Sequence, residues 1–337
     1  MKENIINYVP LKIYRRLRWE KEQSKKYKQT KSVFGEEYAQ LCYAAEKAIY
    51  QDHPVNEVLT LLKQRDDYIL RKIEQTCARV IQKSETYSGK PVMQRDVDEP
   101  IWVFWWDGEE NAPEIVKACI RSIRRNTNGH RVVFLSRENM GDYVDLPEYI
   151  ERKHENGIIG HAHYADMVRL ALLAKYGGVW IDATVFVSQP LPEELFKEEF
   201  YTAKSIDNKA FYFSKSRWVG YFLAGNREFP LFAFSRDMLF EYWMNEEEAI
   251  SYLIMDYIFD IAYRCIPEVH VEMDRLPDNN LARGQLMSRI NEPYSPDIFD
   301  ELERGNTFIS KLSWRYGNPI PVTEDGKTTN YGHILEL

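Results

Sequence analysis

Three charged side chains in one apolar stretch are where this chain could do chemistry. Asp166 and Arg169 stand three residues apart in a run that is otherwise largely apolar, so on a helix both project from one face and can meet or share a ligand. Burying either one unpaired would be costly. Gly177-Gly178 stops that helix, and glycine's freedom at positive φ permits a tight turn and a close approach of a ligand to the backbone. After the strand-length apolar run Val179-Trp180-Ile181 come Asp182 and, two residues on, Thr184. Ligands of open α/β sheets sit beyond the carboxyl ends of strands, which is where Asp182 arrives. Singly these features read as a helix-surface ion pair, a helix stop and a turn cap. Together they read as a site for a charged ligand.

Other candidates are more scattered. Asp256 and Asp260 lie four apart on an apolar helix, where they face a ligand as a general base would or face solvent; the solvent side is the expectation. His161-Ala-His163 followed by Asp166 offers two imidazoles and a carboxylate, a zinc-hydrolase set, but helix positions two apart diverge by roughly 200°. Trp218, in the aromatic stretch 211–222, offers a flat face to a ligand, and Trp102, Trp105 and Trp106 are expected as core or as pocket walls.

The elements that must position these groups alternate. The run 101–106 reads as a buried strand ended by Asp107-Gly108, Pro113 opens a helix to Arg125, 130–135 is a second strand, and the helix 162–176 feeds the strand 179–181. Such alternation predicts a mostly parallel sheet flanked by helices. Downstream, 200–205, 211–213 and 308–314 read as short strands, 231–245 and 250–264 as helices, and 319–332 as turns. Before this domain, 35–83 carries helical periodicity broken at Pro54, and 85–91 reads as a linker, so a helical N-terminal region of residues 1–90 precedes a domain of 91–337.

Forty-four Lys and Arg against 52 Asp and Glu leave a net charge of −8, a field that disfavours nucleic acid. Nine of those cations fall within residues 11–31 against Glu20 and Glu22 alone. This basic arm is expected as a solvated helix face, with peripheral contact to an anionic membrane surface as its other use. Arg169, Lys175, Asp256 and Asp260 interrupt the most apolar stretches, so no membrane span is expected. Residues 1–10 lack the pattern of a secretory leader and the four cysteines lack CxxC spacing, which together predict a cytoplasmic protein with reduced thiols.

The stretch 100–191 resembles the capsular polysaccharide synthesis family of GT-A glycosyltransferases, related to the wider group with a DXD sugar-binding region. The resemblance is carried by the aromatic first strand, the helix with Ala165, Asp166 and Arg169, and Gly177-Gly178-Val-Trp-Ile-Asp182-Ala-Thr184. It implies a GT-A-like, Rossmann-type mixed sheet flanked by helices, with an N-terminal helical extension. It also implies an enzyme that moves a sugar from a nucleotide-sugar donor, UDP-linked, to a saccharide or lipid-linked saccharide acceptor in capsular or other surface polysaccharide synthesis, with retention of configuration.

In that frame Asp166 and Arg169 help hold the donor, together with Gly177, Gly178, Trp106 and Lys311. Asp182 lies at the diphosphate and its metal, Asp182 and Asp256 are the catalytic candidates, and Trp218 is the acceptor candidate. Thr184 stands where a DXD motif has its second carboxylate. Mn²⁺ or Mg²⁺ is expected on Asp182 and the donor diphosphate, with Thr184 supplying a hydroxyl or ordering a water; without a cation, Arg169 and Lys311 would share that charge. A non-catalytic glycan-binding or scaffolding protein of the same machinery is the alternative from another class, and a metal-dependent hydrolase a lesser one.

Overall fold

The structure, a computed structural model, describes residues 11–89, 99–315 and 318–337, with side chains from Arg16 onward. Two compact units divide after Lys72. The expected domain start at Pro91, like the leader reading of residues 1–10, lies outside the described residues.

The first unit is helical: α1 (Leu11–Phe34), α2 (Glu36–Tyr50) and most of α3 (Val55–Thr76). Ala45 and Ala48 meet Val58 and Leu62 in a small core, and Tyr38 stacks on Tyr68 with ring centroids 5.0 Å apart. The basic arm is the exposed surface of α1. Arg16–Glu20 and Arg18–Glu22 form i,i+4 pairs, while Lys21, Lys25, Lys26 and Lys28 stand in solvent.

The second unit runs α4 (Ala78–Gln82), β1 (Ile101–Phe104), α5 (Glu114–Arg125), β2 (Val132–Leu135), α6 (Glu148–Glu155), α7 (His161–Tyr176), β3 (Gly178–Ile181) and β4 (Val185–Val187). It continues β5 (Phe200–Thr202), β6 (Phe222–Gly225), α8 (Pro230–Asn245), α9 (Ile254–Cys265), α10 (Pro267–Arg275), α11 (Gln285–Ser288), α12 (Pro296–Arg304), β7 (Ile309–Lys311) and α13 (Asn330–Glu336).

A five-stranded sheet has the order β2-β1-β3-β6-β5. All four residues of β1 and of β3 are buried, which is why both read as uninterrupted apolar runs. The fold is mixed α/β, as expected, but the sheet is parallel only across β2-β1-β3; β6 runs antiparallel to both β3 and β5. No helix bridges β5 and β6, and an antiparallel pair needs none. Their connection contains the expected strand 211–213, which instead forms bends and turns, with Lys215 and Ser216 at positive φ. A second sheet of two strands pairs β4 with β7 antiparallel, in the register Val185↔Lys311. That register sets residue 311 beside the chain that leaves β3.

Candidate active site

Asp182 is the first residue beyond β3, and its N–H donates to the Tyr221 carbonyl at 2.9 Å, which fixes where its side chain starts. Its Oδ1 accepts from Arg169 Nη2 and from Trp180 Nε1, both at 2.9 Å. Its Oδ2 accepts from Lys311 Nζ at 3.1 Å. Arg169 also donates to Asp166, and its guanidinium lies over the Trp180 ring, 4.8 Å from the centroid. The three residues picked out by spacing thus share one charge cluster.

Burial by itself would raise the Asp182 carboxyl, but Lys311 and Arg169 outweigh it and hold the group at about 2. Asp166 goes the other way, because burial outweighs the pull of Arg169. Burial opposes the charge on Arg169 too, yet Asp166 and Asp182 more than restore it. Hydrogen bonds to charged groups contribute ~1.5–3 kcal/mol each, so the cluster holds α7, β3 and β7 together as well as forming a site.

Beside it opens a cavity of about 540 Å³ walled by Asp256, Trp218, Tyr221, Arg283 and Lys311 among others. Gly220 lines this cavity next to the cluster: a Cβ there would come within 2.2 Å of the Met255 methyl and 3.6 Å of Arg169 Nη1. Asp256 accepts from Trp218 Nε1 at 2.7 Å. Burial pushes its carboxyl up to about 7, with the indole N–H acting against the rise and Asp166 adding to it. Arg283 is held by neutral acceptors, Ser205 Oγ at 2.5 Å, Ser216 Oγ at 2.8 Å, the Tyr221 hydroxyl at 3.1 Å and the Asn280 carbonyl at 3.3 Å. A second cavity, of about 390 Å³, carries Glu199, Glu228, Glu268 and Glu272, a lining that repels an anionic ligand.

Several expected contacts change. Gly177 and Gly178 sit at the opposite end of β3 from Asp182, roughly 13 Å away at about 3.3 Å per residue. Both are at positive φ, and a Cβ on Gly178 would lie 2.3 Å from the Pro100 carbonyl oxygen; the pair admits β3 against its neighbours' backbone. Trp218 is 1% exposed with Arg217 over its ring at 4.2 Å, so it offers no open face to a sugar. Its N–H to Asp256 is its contribution. Trp106 packs against His154 of α6 and against His161 and Tyr164 at the start of α7, and Trp102 is core, donating to the Gly177 carbonyl at 2.9 Å.

The two acids of α9 do not face solvent. Asp256 lines the cavity, and Asp260 pairs with Arg217 at 2.8 Å and Arg264 at 3.0 Å. The two imidazoles part company as helix geometry requires: His161 Nδ1 lies 3.0 Å from His154 Nε2 and His163 Nε2 lies 3.1 Å from the Tyr252 carbonyl. Among the described residues no three His, Cys, Asp or Glu side chains are grouped to hold a metal. The Asp182–Thr184 pair is engaged by protein donors. Both Asp182 oxygens accept from resident cations, and Thr184 Oγ1 accepts from Lys311 Nζ at 2.5 Å. Arg283 and Tyr221 carried no local signal, since an arginine near a turn and a tyrosine before a strand are ordinary; only the fold brings them together.

Such a site defines an α/β protein that gathers fixed positive charge around one ionised carboxylate at the end of a central strand. The chain belongs to the family of capsular polysaccharide synthesis proteins, whose pattern matches residues 50–333. Over 99 residues it is 36% identical to the O-glycosyltransferase braB of Annulohypoxylon truncatum, a match covering 27% of this chain and 24% of that protein, so the chain spans about a quarter of that curated relative. Among solved structures it is similar to the bifunctional glycosyltransferase WbbM in its apo form, with a TM-score of 0.40 and 14% identity over 74% of this chain and 50% of that one.

Proposed function

We propose that this protein is a GT-A-type glycosyltransferase of capsular or other surface polysaccharide synthesis, moving a hexosyl group from a UDP-linked donor to a saccharide or lipid-linked saccharide acceptor. The observation that carries the reading is the convergence of Lys311 and Arg283 on one cavity that also holds Asp256, immediately beside Asp182 and Arg169. The cations in its lining suit a diphosphate. A carboxyl held near neutrality in the same lining suits a hydroxyl that must lose its proton.

In the reaction so proposed, the bond between the anomeric carbon and the diphosphate oxygen breaks while the acceptor oxygen bonds to that carbon. The hydroxyl proton passes to the Asp256 carboxylate, and the nucleoside diphosphate leaves against Lys311 and Arg283. Asp182 does not meet the donor as a free charge; it aims Arg169 and Lys311. Retention of configuration, the outcome the family resemblance implies, requires the acceptor oxygen to attack from the face that the diphosphate leaves, and proton NMR of the first-formed anomer tests it.

No described helix is long and apolar enough to cross a membrane. Work on the cytoplasmic side, with the exposed lysines of α1 on an anionic lipid surface, is part of the same reading. The test is a thermal-shift screen of nucleotide sugars. A donor at 100 times its dissociation constant adds about 2.7 kcal/mol to the native state, and no shift with any nucleotide sugar would defeat the reading.

A further inference from the structure

We propose that the ammonium of Lys311 takes the place of a divalent cation at this site, with Arg283 as its partner, so that the donor's diphosphate is bound and released without a metal. The inference rests on the donor reading above.

Position comes first. Lys311 is locked into the β4–β7 ladder: its N–H donates to the Arg283 carbonyl at 2.9 Å, and the next residue, Leu312, donates to the Thr184 carbonyl at 3.0 Å. From there its Nζ reaches the two side chains, Asp182 and Thr184, that would face a metal in a DXD-like motif.

Charge comes next. With Thr184 neutral, this motif brings a single carboxylate, which one ammonium balances in full, whereas a divalent ion would draw its remaining ligands from substrate phosphates and water. Both Asp182 oxygens already accept from the protein, one from Lys311 and the other from Arg169 and Trp180.

An ammonium has three N–H donors. Two go to Asp182 and Thr184, and the side chain remains a third exposed on the cavity wall, so a phosphate oxygen can take the remaining one. Arg283, whose backbone Lys311 bonds, adds a second positive charge held by neutral acceptors. Two fixed single charges then stand where one double charge would.

The experiment is calorimetric titration of the full chain with UDP in EDTA and again in Mn²⁺, alongside titration of Mn²⁺ into the chain without nucleotide, followed by electron paramagnetic resonance. The expected result is a UDP dissociation constant that agrees within about twofold in the two buffers and rises about tenfold or more in Lys311→Ala but less in Lys311→Arg. The free Mn²⁺ signal should stay undiminished. UDP binding that disappears in EDTA and returns with Mn²⁺, or one equivalent of Mn²⁺ taken up by the protein alone, overturns the inference while leaving the donor reading intact. If Lys311→Ala does not fold, the comparison of buffers on the unaltered chain still decides. UDP and every nucleotide sugar failing to bind in either buffer overturns both readings together.

Discussion

Lys311 Nζ lies 3.1 Å from Asp182 Oδ2 across 129 residues of chain, and the same carboxylate holds Arg169 through its other oxygen. One acid therefore orders two cations that arrive from different elements, a helix and a strand. Removing its charge leaves two mutually repelling groups in place.

Asp182→Asn is expected to lower sugar transfer at least about 100-fold and to destabilise the fold by about 3 kcal/mol, as when one partner of a buried pair is lost. Urea denaturation and a transfer assay check the two halves. A scaffold that binds glycans without turnover would show only the stability loss. The unaltered protein also loses this contribution in acid: its carboxyl sits at about 2 when folded against ~3.9 when unfolded. The stabilisation is complete above the higher value and disappears as pH falls through the lower one. Asp182→Asn should flatten that limb of the stability profile.

Asp256 titrates on the other side of its ordinary value. Folding holds it at about 7, so its protonated form is favoured, and stability from this group declines as pH rises from ~3.9 toward 7. Activity runs oppositely, rising as the carboxylate forms. Asp256→Asn should lose about 100-fold or more in rate while gaining stability at pH 8 relative to the unaltered chain. Trp218→Phe keeps an aromatic ring and removes the N–H that lowers this carboxyl, so the rising limb of the pH–rate profile should move to higher pH.

Gly178→Ala tests the reassigned role of the glycine pair. Its Cβ would meet the Pro100 carbonyl oxygen at 2.3 Å from a φ of +96°, a backbone clash in a buried strand, and the expected loss is more than about 3 kcal/mol. Gly108→Ala, at φ +80° with open space around it, should cost only about 1–2 kcal/mol. Any Gly178→Ala protein that folds should bind UDP with unchanged affinity, because the substitution lies at the far end of β3.

Exchange of Lys21, Lys25, Lys26 and Lys28 for glutamate is expected to abolish sedimentation with phosphatidylserine vesicles and leave transfer to a soluble acceptor unchanged. Sedimentation of the unaltered chain should weaken as salt is raised, since the attraction is screened.

Much of the scaffold was legible from the chain. The apolar runs 101–106 and 179–181 gave away β1 and β3, Pro113 marked the start of α5, and Pro54 fell between α2 and α3. The strand β6 was hidden at the end of an aromatic stretch, because only Phe222 and Leu223 carry a strand signal before Ala224 and Gly225, which are depleted in strands.

Asp166, Arg169 and Asp182 could be singled out by sequence alone, since they lie within one helix–turn–strand unit whose local geometry decides which side chains can meet. The remainder of the site is non-local. Lys311 reaches Asp182 only through the β4–β7 register, Arg283 joins the cavity through hydrogen bonds to residues 62 to 78 positions away, and Asp256 meets Trp218 across 38. Charge and residue type are properties of the chain. Which charge faces which, and hence whether Asp182 looks onto a metal or an ammonium, depends on strand pairing and burial, which exist only after the tertiary structure has formed.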